Sequence, residues 1–288
     1  IGLAIVFHGV GMTELAALAL IAVLYHSLNH AFMKSLLFLG TGAVLHATGE
    51  RNLGRLGGLI HRMPWAAWLT LVGVLAIAGL PPLNGFVSEW LLLQTFLFSH
   101  EVPQPFVNML LPLGAAIVAL AAALAGYVMV KFFGIVFLGQ PRESSLAVAH
   151  DVDGFEKAGL VWLAIGCVLL GLLPNQVIHA LGTATGQLIG AAPNLAGQSW
   201  WMLAPLNERD VSYAPLVLLA VIVAVIAATF LIVRVVYRRP VRRAPTWDCG
   251  FGRLDPRMQD TAEGFGQPIR HIFVSFFDAL RFANWLHN

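Results

Sequence analysis

Apolar residues fill this chain in long blocks, and the polar, Gly and Pro positions between them set where its elements begin and end. Residues 1–10 (IGLAIVFHGV) read as the last part of a helix. Thr13–His46 follows as one long apolar helix, with Thr13 or Glu14 suited to its N-terminus and Gly49 just past its end. An Arg/Gly loop, ERNLGRLGGLIHRM, comes next. Pro64 opens a span over 64–80, which Pro81 and Pro82 close, and residues 84–100 form a further apolar segment carrying Glu89. Spans at 107–139, 158–174 and 213–237 complete the pattern. The stretch 176–212 reads as a loop with short interfacial helices, its Trp200 and Trp201 suited to a headgroup zone. A bilayer core of about 30 Å takes roughly 20 apolar residues in helical form. The pattern therefore predicts an all-α, polytopic transmembrane bundle of roughly six crossings plus the initial remnant.

Composition agrees. The 288 residues are 58% hydrophobic and 11% charged, against about 25% charged in soluble domains. A net charge of +2 gives no argument for a nucleic-acid partner. The two cysteines, Cys167 and Cys249, supply no CxxC pair, zinc spacing or disulfide framework. The chain opens on Ile1 inside an apolar run, which points to the C-terminal piece of a longer protein.

Three regions are expected: residues 1–139 as part of a translocation core, 140–237 as additional helices and loops, and 238–288 as a polar, turn-rich tail that ends in the amphipathic HIFVSFFDALRF. If 64–80 and 84–100 each cross, Arg51, Arg55 and Arg62 lie opposite Arg238, Arg239, Arg242 and Arg243. Both groups cannot then be inside. The tail cluster is denser and directly follows a span, so the tail is expected in the cytoplasm.

Ionisable residues stand inside the apolar blocks, where each costs several kcal/mol on insertion scales and is by default a functional hypothesis. YHSLNHAFMK places His26, His30 and Lys34 at i, i+4 and i+8, a row of roughly 12 Å on one helix face. Such groups can hold and release protons in small free-energy steps if water bridges them. The competing readings are hydrogen-bonded core histidines beside a snorkelling lysine, or metal ligation, which lacks a third ligand here. Glu89 follows a Pro-Pro-x-Asn-Gly break of the kind tolerated at membrane depth only where protein or water satisfies the freed backbone. It is either a proton stop or a partner of Arg62 or of a backbone amide at the interface. Lys131 lies near a helix end, where snorkelling is common, and is kept as a proton-path candidate. Arg234 reads as an interfacial anchor. No nucleophile–base pair, phosphate loop or redox ligand set is visible, so no cofactor is expected on this chain.

The blocks HSLNHAFMKSLLFLGTGAVLHATGERNLGRLGGL and LAIAGLPPLNGFVSEWLLL resemble the antiporter-like subunits of respiratory complex I. With the tail TWDCGFGRLDPRMQDTAEGFGQPIRHIF, the chain is most similar to the hydrogenase-4 component B and formate hydrogenlyase branch. The resemblance implies a proton-translocating subunit built from inverted five-helix repeats. This chain would carry the second repeat with its discontinuous helix. It also implies a path through His26, His30, Lys34 and Glu89, in an inner (plasma) membrane. The implied partners are other membrane-arm subunits, the bilayer, and a peripheral arm of NiFe-hydrogenase and iron–sulfur proteins. The family's first-repeat glutamate–lysine pair would lie before Ile1. A multi-component sodium/proton antiporter subunit and a non-conducting membrane-arm anchor are the alternatives.

Overall fold

The structure is a computed structural model and describes residues 1–191, 199–204, 212–236, 244, 247–252, 254–276 and 278. Nine α-helices occur among the described residues: α1 Gly2–Gly9, α2 Thr13–Thr48, α3 Pro64–Ile77, α4 Asn84–Leu97, α5 Pro105–Phe137, α6 Gly154–Leu172, α7 Pro174–Ile189, α8 Pro215–Val236 and α9 Ala262–Ile272. Their ends follow the punctuation residues. Prolines open α3, α5 and α7, where a missing N–H costs nothing. Gly49 closes α2 in the left-handed conformation, at φ 66°. Asp153 and Glu156 build a capping box at the start of α6. Asp151 accepts from the Trp65 and Ala66 amides at 2.8 and 3.2 Å, which covers orphan donors at the start of α3.

The long helix α2 is the axis. Along it α3 and then α4 run antiparallel: Thr70 packs on Gly40, Gly73 on Leu36 and Leu37, Asn84 on Asn29, and Ser88 on His26. α3 and α4, 14 residues each, are thus two halves of one crossing interrupted at 78–83, and not two crossings. α6 and α7 form a second broken crossing beside it. Glu156 meets His46, Gly166 meets Phe32, the Leu170 carbonyl meets Tyr25, and Ile178 joins the cluster around Leu15–Ala22. α5 returns the chain, from Gly114 against Phe96 to Leu138, whose carbonyl accepts from the Gly58 amide at 2.8 Å.

Two sequence expectations change. The part of 176–212 expected as a loop with short interfacial helices is instead, from Pro174 to Ile189, one helix packed on α2. Among the described residues four helices, α2, α5, α6 and α8, are long and apolar enough to cross a membrane alone, against the six predicted. Stacked half-helices account for the difference.

The topology also removes the conflict over the arginines. With α3–α4 as a single crossing, an even number of passages separates the 51–62 loop from the tail. The contacts agree. Gln259 Nε2 donates to the Gln140 carbonyl at 2.8 Å, and α9 packs on the turn at Leu53–Arg55. Arg142 ties three segments together by donating to the carbonyls of Leu56, Ile135 (3.3 Å) and Asp260 (2.5 Å). Desolvation pulls its guanidinium below the ordinary arginine value. Arg51, Arg55, Arg62 and the described tail therefore share one end of the bundle. Arg238, Arg239, Arg242 and Arg243 lie outside the described residues, as does much of HIFVSFFDALRF.

Candidate functional site

Both helix breaks lie beside the same turn of α2, and the residues there hold each other's freed backbone groups. Pro174 has no N–H, so the Leu170 carbonyl loses its helical donor. The hydroxyl of Tyr25, which is fully buried, donates to that carbonyl instead. Asn29 and Asn84, each 0% exposed, make a reciprocal pair: Asn29 Nδ2 donates to the Asn84 carbonyl at 2.8 Å, and Asn84 Nδ2 to the Asn29 carbonyl at 3.2 Å. The two amide oxygens, Asn29 Oδ1 and Asn84 Oδ1, are buried with no hydrogen-bond donor among the described residues. In a region of this kind each needs a donor or costs about 1–3 kcal/mol.

Glycines permit the close approach. A Cβ on Gly85 would stand 1.9 Å from the Ala76 carbonyl oxygen, and one on Gly171 would stand 2.2 Å from that of Pro82. Gly79 has φ 67°, and a Cβ there would stand 2.3 Å from Glu89 Oε2. The Glu89 side chain therefore rests against Gly79, within the break between α3 and α4.

The histidine row has the predicted geometry. The His26 and His30 ring centroids are 5.9 Å apart, and Lys34 Nζ stands 4.9 Å above the Phe38 ring. His26 Nδ1 lies 3.0 Å from Ser88 Oγ, which also donates toward the Gly85 carbonyl at 3.1 Å. His26 is half-buried, whereas His30 and Lys34 are exposed on the outer face of α2. Ser88 is thus the link between the row and the α4 half-helix that carries Glu89.

Not all five candidates come together. Glu89 stands next in sequence to Ser88 and half-buried beside Gly79. Its weighed pairing with Arg62 does not occur, because Arg62 precedes α3 and the whole half-helix of roughly 21 Å separates them. His46 closes the far end of α2 in an exposed pair with Glu156 at 2.9 Å. Lys131, on α5, stands apart from the breaks, at the end of the bundle where α9 packs.

Sequence reasoning missed Tyr25, Asn29, Asn84 and Ser88. Tyr25 and Asn29 share the i, i+4 spacing of the histidines, and Asn84 and Ser88 repeat it after the Pro-Pro break, but that spacing alone does not single them out.

Known proteins resemble this chain over most of its length. Residues 2–111 match the family described as NADH:quinone oxidoreductase/Mrp antiporter, transmembrane. Formate hydrogenlyase subunit 3 of Escherichia coli (strain K12) is 33% identical over 298 aligned positions, covering 100% of this chain and 45% of that protein. Hydrogenase-4 component B of the same organism is 29% identical and covers 96% of this chain and 41% of its own length. Among solved structures, a chain of the membrane-bound sulfane sulfur reductase, an archaeal respiratory membrane complex, superposes with TM-score 0.71 at 27% identity. That match covers 94% of this chain and 42% of the other. The chain spans less than half the length of the curated relatives it matches.

Proposed function

Because the chain belongs to the antiporter-like transmembrane subunits shared by NADH:quinone oxidoreductases and Mrp antiporters, we propose that it conducts protons in the membrane arm of a NiFe-hydrogenase complex of the hydrogenase-4 or formate hydrogenlyase type. The observation that carries this reading is the contact of His26 with Ser88 at the broken helix, with Glu89 adjacent and two buried amide oxygens that have no donor among the described residues. Water held by Asn29 Oδ1 and Asn84 Oδ1 would bridge His26 to Glu89. His30 and Lys34 would continue the path along α2. Both are exposed on this chain alone, and lipid is a costly cover for such groups. Other protein of the complex therefore faces them, with residues 1–139 as part of the conducting core and 140–237 as additional helices and connecting loops. Other membrane-arm subunits and a peripheral arm of hydrogenase and iron–sulfur proteins are the partners of this reading. The plasma membrane is its location, and the basic end of the bundle is its cytoplasmic side.

Sodium/proton exchange is the second reading, favoured by the Mrp antiporters within the matched family. The test is Glu89→Gln in the full complex in sealed vesicles. Proton uptake per electron pair should fall while electron transfer continues, independently of sodium. Unchanged uptake contradicts the proposal. Proton movement that stops when sodium is withheld and is matched by counter-movement of sodium supports exchange instead.

A further inference from the structure

Lys131 lies six residues before the end of α5, roughly 9 Å along the helix, a position from which a lysine ordinarily reaches bulk water. Here the tail covers it. A Cβ on Gly266 of α9 would stand 3.2 Å from Lys131 Nζ. The ammonium opens instead into a cavity of about 630 Å³ between α5 and the tail, lined by Lys131, Thr261, Glu263, Gln267 and Arg270 among others. A space so polar and roomy holds water. Its carboxylate comes from Glu263, in the first turn of α9, where the helix N-terminus favours negative charge. The tail is seated by other groups. Gln259 exchanges two hydrogen bonds with the Gln140 backbone at 2.8 and 3.0 Å, Arg142 donates to the Asp260 carbonyl, and Arg257 pairs with Glu143 at 3.7 Å.

We propose that Glu263 is the proton-exchange group between Lys131 and the aqueous phase at this end of the bundle, and that the docked tail builds the water-filled chamber through which they exchange. The inference rests on the proton-conducting reading above. In the loading direction a Glu263 carboxylic acid passes its proton through chamber water to the neutral Lys131 amine. This leaves a carboxylate and an ammonium, and the carboxylate regains a proton from bulk water. Release is the reverse. Because Gln259, Arg142 and Arg257 hold the tail, neutralising Glu263 leaves it docked.

Two measurements on the full complex in sealed vesicles test this. In the first, Glu263→Gln should lower proton uptake per turnover by roughly tenfold, and Glu263→Asp should restore most of it, as expected of a proton-transfer group. Uptake unchanged in Glu263→Gln overturns the relay. In the second, Lys131→Cys on a Cys249→Ser background is treated with a membrane-impermeant maleimide. Labelling should be slow with the tail docked and at least several-fold faster when Arg142→Ala and Gln259→Ala release it. Equal rates overturn the chamber. Failure of the underlying reading is distinguishable. If Glu89→Gln leaves pumping intact, conduction and relay fall together while the labelling contrast still reports the docked tail. If Glu89→Gln abolishes pumping and Glu263→Gln does not, only the relay falls.

Discussion

Tyr25 shows how a single side chain supports a broken helix. Its ring is fully enclosed by the cluster that joins α2, α4 and α7, and its hydroxyl takes the place of the N–H that Pro174 lacks. Tyr25→Phe keeps the apolar contacts and strands the Leu170 carbonyl. The expected loss is about 1–3 kcal/mol, read as a lower unfolding temperature of the solubilised complex; an unchanged transition would mean that another donor reaches Leu170. At this scale the histidine row was legible from spacing alone, because titratable groups stand out against an apolar background. Asn29, Asn84 and Ser88 were not. Neutral polar residues are ordinary in membrane helices, and nothing local distinguishes a solvated asparagine from one that holds a helix break.

Among the elements, the two interrupted crossings are interdependent. Gly171 of α6 lies directly on the backbone of the α3–α4 break, with the Pro82 carbonyl where a Cβ would need to be. Gly171→Ala must push two backbones apart, an overpacking cost of about 1–3 kcal/mol. It should also displace Asn84 from Asn29. Poorer assembly together with a reduced proton-to-electron ratio is the expected result, and normal assembly with normal coupling would show that the breaks move independently. Helix ends were readable in advance because Pro, Gly and capping pairs act locally. The stacking of α3 on α4 was not, since an apolar segment, a Pro-Pro break and a second apolar segment read the same for a hairpin and for a continued crossing. Packing along the 36 residues of α2 decides between them. The Asp153–Glu156 capping box was a legible signal that starts α6 four residues earlier than its apolar run.

For the whole molecule, that single choice sets the sidedness. One crossing in place of two brings the 51–62 arginines to the end where the tail docks, and Arg142 fastens the two regions together. The molecule is then one membrane subunit with a titratable row on α2, a carboxyl group at the adjacent break, and a cavity under the tail. The proposed function turns on whether the row carries protons. The most direct test is substrate-driven proton uptake by the full complex in sealed vesicles, with Lys34→Ala beside the unchanged protein. Uptake should collapse while electron transfer continues or slows. Full uptake, with only assembly or stability reduced, would contradict it and leave His26, His30 and Lys34 as structural residues.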